Sequence, residues 1–251
     1  MYAILFSVLA AAAAFAQPYQ PESLHALGAR VARESLRGAN PVVVFDLDDT
    51  LINSRTRTVR ILNEFSEQQA VPELEHLEVA QIRYDLEDTF KELGLADDKL
   101  LALANVFWKT RFFTNEYAAK DRPVPGAAAY VRWLAGQGAR IVYLTGRGEN
   151  EMREGTLANL ERNHFPLDDD TVVLLMKPDM KMDDTVFKVA AFARINKMGE
   201  VVGAFENEPR NINAMQTAWP DALAIYLDTI HSKKPDVPAP GVFWVRDFRA
   251  D

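Results

Sequence analysis

The chain has 251 residues, 48% of them hydrophobic, enough for one large domain or for a core with a smaller companion, and this excludes a disordered chain. A formal charge of -8 offers no basic footprint to a phosphate backbone, so a small substrate is expected and nucleic acid is not. There is no cysteine, which excludes disulfides, thiolate metal sites and lipid attachment through cysteine.

The chain opens with an apolar stretch from Ala3 to Ala16 that ends in Ala14-Phe15-Ala16, small residues at the two positions a signal peptidase reads. It is shorter than the ~20 apolar residues a membrane span needs, and it carries no Lys or Arg beside Met1. Residues 1–16 are therefore expected to be an export signal, leaving a mature chain from about Gln17 in the periplasm or medium with no stable membrane anchor.

Residues 22–37 carry Leu24, Leu27, Val31 and Leu36 at mostly helical spacing, and Gly38-Ala39-Asn40-Pro41 ends the helix. The run 42–45, "VVVF", reads as a strand covered on both faces in a parallel sheet. Residues 56–120 then change character. They are rich in Glu, Leu, Gln and Arg, and Leu74, Leu77, Ile82 and Leu86 recur periodically, which predicts three or four helices with breaks at Pro72 and Gly94. The aromatic stretch "NVFWKTRFF", 105–113, is expected to pack between those helices.

From Pro123 onward strands alternate with helices: helix 127–137, strand 140–144, helix 150–163, strand 171–176, helix 184–196, strand 201–205, helix 211–218 and strand 222–227. This alternation predicts parallel pairing with right-handed crossovers. The fold class is α/β, a Rossmannoid, doubly wound parallel sheet interrupted after its first strand by a helical insert. A Pro-rich connector, 231–241, leads to 242–245, a candidate edge strand.

Ligands of open α/β sheets bind outside the carboxyl ends of the strands. Asp46 and Asp48 follow the first strand, Thr145-Gly146-Arg147 the second, and Glu206-Asn207-Glu208 the fourth, with Lys188 early in the preceding helix. Carboxylates crowded at one rim repel one another unless a cation sits among them. Mg²⁺ suits the role, since it is held by one or two carboxylates plus phosphate and water. The Thr145 hydroxyl, the Gly146 N–H and the Lys188 ammonium are donors for an anionic oxygen, and together with the acids they point to phosphoryl transfer. Asp46 would attack phosphorus, while Asp48 would protonate the leaving oxygen and then deprotonate water.

These residues resemble the haloacid dehalogenase (HAD) superfamily, in its phosphatase branch. "FDLDDTL", 45–51, is similar to the first motif of that family, with Asp46 as nucleophile and Asp48 as acid/base; "YLTGR", 143–147, is similar to the second, with Thr145 on the phosphate. Lys188 is the choice for the third motif, with Lys177 and Lys181 as alternatives, and "AFENEPRN", 204–211, is similar to the fourth. The resemblance implies Mg²⁺ held by the Asp46 carboxylate, the Asp48 carbonyl and Glu206, and a helical cap at 56–120 on a core of 17–55 and 121–251. The fourth motif departs from the usual aspartate: Glu206 is one methylene longer, and Glu208, Asn207 or Asn211 could supplement it.

The function expected is a Mg²⁺-dependent phosphatase of a small phosphomonoester. Its rivals are a binding protein that kept the fold but lost turnover, and a metal-dependent nucleotide-sugar transferase. Other charged groups read as structural. His25, His76, His164 and His231 lack any paired ligand spacing, and Asp168-Asp169-Asp170 precedes a strand, on the edge away from the rim. Arg55, Arg57 and Arg60 either meet an anionic substrate or lie solvated on a helix face.

Overall fold

The computed structural model describes residues 18–168 and 170–249. The expected export signal and Asp169 lie outside the described residues. Helix α1 (Glu22–Leu36) buries Leu24, Leu27 and Val31 and leads to β1 (Pro41–Phe45), every residue of which is buried. A short strand β2 (Ile52–Asn53) then pairs antiparallel with β3 (Arg122–Pro123), so the insert leaves and rejoins the core through a two-stranded stem that the sequence reading did not foresee.

Between the stem strands lie α2 (Arg55–Gln69), two single-turn 3₁₀ helices at Pro72–Leu74 and Val79–Gln81, α3 (Leu86–Glu92), α4 (Asp98–Phe112) and the one-turn α5 (Asn115–Ala118). Both expected breaks fall between helices: Pro72 opens a 3₁₀ turn, and Gly94 takes a φ of 73° between α3 and α4. Leu62, Phe65, Leu74, Ile82 and Phe90 close a hydrophobic cluster inside the insert, distinct from those under the sheet.

The chain continues through α6 (Ala127–Gly136), β4 (Arg140–Gly148), α7 (Glu149–Arg162), β5 (Val172–Lys177), α8 (Asp184–Ile195), β6 (Glu200–Glu206), α9 (Pro209–Ala218), β7 (Leu223–Leu227) and β8 (Phe243–Val245). The six long strands form one sheet in the order β5-β4-β1-β6-β7-β8, with every neighbouring pair parallel. Strand β8 is the edge strand expected at 242–245, and β4 runs past the expected end, with Gly146 and Arg147 in an irregularity between the paired Thr145 and Gly148.

Side chains alternate across the sheet. Val43, Phe45, Ile141 and Tyr143 face the layer of α1 and α6, while Val42, Val44, Val142 and Leu144 face that of α8 and α9. Close approach of insert and core depends on Gly155 of α7, where a Cβ would lie 2.1 Å from the Asn115 carbonyl oxygen of α5. Central β1 sits between β4 and β6, from which the chain winds outward in both directions. That makes the carboxyl end of β1 the switch point of the sheet.

Candidate active site

Register brings the site together. Phe45 of β1 lies beside Tyr143 of β4 on one side and Phe205 of β6 on the other, so Asp46, Thr145 and Glu206 emerge at the same rim. They border a cavity of about 460 Å³ that also receives Asp48, Gly146 and Lys188. All six site residues expected from the sequence therefore meet in one place.

The Lys188 ammonium, delivered by α8, donates to Asp46 Oδ1 at 2.6 Å and to Glu206 Oε1 at 2.8 Å, with all three side chains buried. Burial and the Glu206 charge push the Asp46 carboxyl well above the usual range, against the pull of Lys188. Burial works against the Lys188 ammonium, yet Asp46 and Glu206 hold its pKa above the ordinary value, so it stays a fixed positive charge. Lys177, by contrast, ends β5 and binds Asp184 at 2.5 Å and the Met182 carbonyl at 3.0 Å. A Cβ at Gly146 would lie 2.7 Å from Asp184 Oδ2, so a side chain there would displace the Asp184 carboxylate.

Glu206 is fully buried and engaged on both oxygens. Oε1 also accepts from Asn211 at 2.5 Å, while Oε2 accepts from the Asn207 N–H at 2.8 Å and more distantly from the Thr50 hydroxyl at 3.5 Å. The two asparagine amides are committed elsewhere as well: Asn207 accepts from Thr50 at 3.1 Å, and Asn211 from Thr185 at 2.6 Å. Glu208 accepts from the N–H and hydroxyl of Ser232 at 2.7 and 2.6 Å, which ties it to the loop after β7.

Asp48 has different partners. Arg147 grips its carboxylate in a fork, Nε to Oδ2 at 2.9 Å and Nη2 to Oδ1 at 2.7 Å, and Arg57 adds a contact at 3.2 Å. Partial burial acts the other way, but the two guanidinium charges outweigh it and hold this carboxyl well below the usual carboxylate range. Both arginines also pair with Asp121, closing a buried network of two cations and two anions at the base of the insert. Arg57 is therefore neither solvated nor free for substrate; it is fully buried. Asp49, at φ 58°, also borders the cavity but accepts from the Ser54 N–H and hydroxyl, and burial pushes its carboxyl up to about 7.

The sequence reading left out Asp121, Arg147 as a partner of Asp48, and the aromatic wall. Arg147 stood inside the Thr-Gly-Arg stretch and could have been found there; nothing local marks Asp121. The rings at 105–113 divide. Phe107 packs on Phe65 inside the insert at 5.3 Å, as expected, but Trp108, Phe112 and Phe113 line the cavity. Among the described residues no group of three or more His, Cys, Asp or Glu side chains is arranged to hold a metal, and no helix is long and apolar enough to cross a membrane.

The carboxylates, the lysine and the Thr-Gly turn stand at the switch point of a doubly wound parallel sheet, where open α/β sheets bind their ligands. The family model for haloacid dehalogenase-like hydrolases matches residues 41–218, and the chain belongs to that family. Comparison with curated proteins gave no match. Among solved structures, the chain is similar to a putative phosphatase from Clostridium difficile (TM-score 0.51, 14% identity, 78% of this chain and 88% of that one). It is likewise similar to Protein Tyrosine Kinase A of Mycobacterium tuberculosis (TM-score 0.51, 15% identity, 82% and 94%) and to a predicted phosphoglycolate phosphatase from Haemophilus somnus 129PT (TM-score 0.50, 13% identity, 83% and 95%). At such identities the likeness is one of fold.

Proposed function

We propose that the protein is a Mg²⁺-dependent phosphatase that hydrolyses a small phosphomonoester through a phosphorylated Asp46. The observation that carries this reading is the Lys188 ammonium lying between Asp46 and Glu206, at 2.6 and 2.8 Å, on the floor of a cavity that Thr145 and Gly146 also border. Asp46 attacks phosphorus, the bond to the leaving oxygen breaks, and that oxygen takes a proton from Asp48, which must first take one up from solvent against the pull of Arg147 and Arg57. Water then attacks the phosphoryl group, gives its proton to Asp48, and Asp46 is released. Throughout, Lys188 offsets charge on the transferring group, and Thr145 and Gly146 orient its oxygens.

The donor set fits Mg²⁺. Two carboxylates reach one point, the oxygen donors are hard, and an open site completed by phosphate and water suits this ion better than a closed cage would. Asp46, the Asp48 carbonyl and Glu206 would hold it; at Glu206 the 3.5 Å Thr50 contact is the one most readily given up, because Thr50 keeps its shorter bond to Asn207. When bound, the ion neutralises charge on the phosphoryl oxygens and on the attacking carboxylate.

Asp48, gripped by two arginines, is a stronger acceptor than donor, and this favours a second reading, a chain of the same fold that binds phosphoesters without turning them over. A phosphomonoester assay with and without Mg²⁺ separates the two. The phosphatase releases phosphate only with the metal, and Asp46→Asn abolishes release while circular dichroism stays unchanged; turnover by that variant would remove Asp46 as nucleophile. Metal-independent silence on a broad ester panel would favour the binder. The nucleotide-sugar transferase reading gains no support from the family assignment. Export belongs to the proposal too, and a secreted chain that begins near Gln17 by N-terminal sequencing would support it.

A further inference from the structure

Aromatic side chains border the cavity from two parts of the insert. At the end of α4, Trp108 stacks on Phe112 with ring centroids 4.2 Å apart, and Phe113 meets both edge-on at 5.7 and 4.9 Å. Tyr84 reaches the same cavity from the segment ahead of α3. Core packing does not account for Tyr84 and Phe113, which remain 52% and 37% exposed. Along α4 and its C-cap, Phe107 turns into the insert's own core, Trp108 packs on that core and also borders the cavity, and Phe112 and Phe113 border the cavity. Exposed aromatic surface gathered around a concavity of small-molecule size marks a binding wall.

The wall stands where a leaving group must go. Arg57 bonds Asp48 at 3.2 Å and lies under the Phe112 ring, its guanidinium carbon 4.3 Å from the centroid. Asp48 is the proton partner of the leaving oxygen on the proposed mechanism, so the rings begin one side chain beyond the scissile bond, on the alcohol side of the ester. Phosphate would be held at Thr145, Gly146 and Lys188, which border the same cavity.

We infer that this site selects phosphomonoesters whose alcohol portion carries a flat aromatic ring, held against Tyr84 and Phe113. The inference rests on the phosphatase reading for its catalytic consequence, but not for its binding consequence. Ring-on-ring contact adds to area burial by a factor of about 2 to 12 per ring, which an aliphatic ring of similar bulk does not gain.

Benzyl phosphate and cyclohexylmethyl phosphate release the same kind of primary alcohol and differ mainly in the flatness of the ring, so intrinsic reactivity is matched. With the full-length chain and Mg²⁺, kcat/KM should favour the benzyl ester by about 2- to 12-fold. Phe113→Leu and Tyr84→Leu should each move that ratio toward one through KM. Equal kcat/KM for the two esters, or a ratio untouched by both variants, overturns the aromatic subsite while leaving metal-dependent phosphate release intact. Should neither ester be hydrolysed, the phosphatase reading is decided by the broad ester panel, and calorimetric binding of benzylphosphonate against cyclohexylmethylphosphonate still decides the inference. Tighter benzylphosphonate binding that weakens in Phe113→Leu upholds it; equal affinities overturn it.

Discussion

Three aspartates within four residues would repel one another if they shared surroundings, and they do not. Asp46 turns to Lys188, Asp48 to Arg147 and Arg57, and Asp49 to Ser54 at the turn that feeds the insert. Under the proposed mechanism Asp48→Asn removes the proton carrier, so kcat should fall by about 10²-fold or more, and an unchanged kcat would contradict the assignment. The network behind Asp48 is balanced, two guanidinium groups against two carboxylates, and both Arg57 and Asp121 are fully buried. Arg57→Met leaves one buried carboxylate uncompensated and should cost about 3–5 kcal/mol. Adding Asp121→Asn restores the balance, so the double variant should unfold at a higher urea concentration than Arg57→Met alone; additive losses would mean that the network is not coupled.

Helix α8 turns a local cap into the geometry of the candidate site. The Asp183 carboxylate accepts from the Val186 N–H at 3.1 Å, and Lys177 holds Asp184 at 2.5 Å, so the first turn is fixed before the helix delivers Lys188 to the rim. The Val186 hydrogen bond lowers the Asp183 pKa below its ordinary 3.8, which means the folded chain prefers the ionised form. Its contribution is present above the unfolded pKa and is lost as pH falls through the folded one. Asp183→Ala should therefore cost about 1 kcal/mol near pH 7, and the gap between variant and parent urea midpoints should narrow as the pH falls below the ordinary carboxyl value of 3.8. A gap independent of pH would show that the cap acts through something other than charge. Helix α4 shows the complementary case, because periodicity identifies a helix without telling which of its aromatic residues will face a core and which a cavity.

On the scale of the whole molecule, the chain builds separate apolar clusters joined by the β2/β3 stem: those under the sheet, and that of the insert around Leu62, Leu74 and Phe90. Phe90→Ala should cost about 3–5 kcal/mol, felt first within the insert. Hydrogen exchange should then show α3 and α4 losing protection while β1, β4 and β6 keep theirs; uniform loss across both would argue for a single cooperative unit. The division also explains what could be read in advance. The sheet, its parallel sense and the rim where Asp46, Thr145 and Glu206 emerge were legible in the amino-acid sequence, because apolar runs and helix–strand alternation are local signals and each strand's end is written beside its last apolar residue. The stem pairing, the partners of Asp48 and the aromatic wall were decided only by tertiary structure. Arg57 and Asp121 stand 64 positions apart, and nothing in either neighbourhood names the other. A charge's partner is chosen by which segments approach and how much water they exclude, and neither quantity exists until the chain has folded.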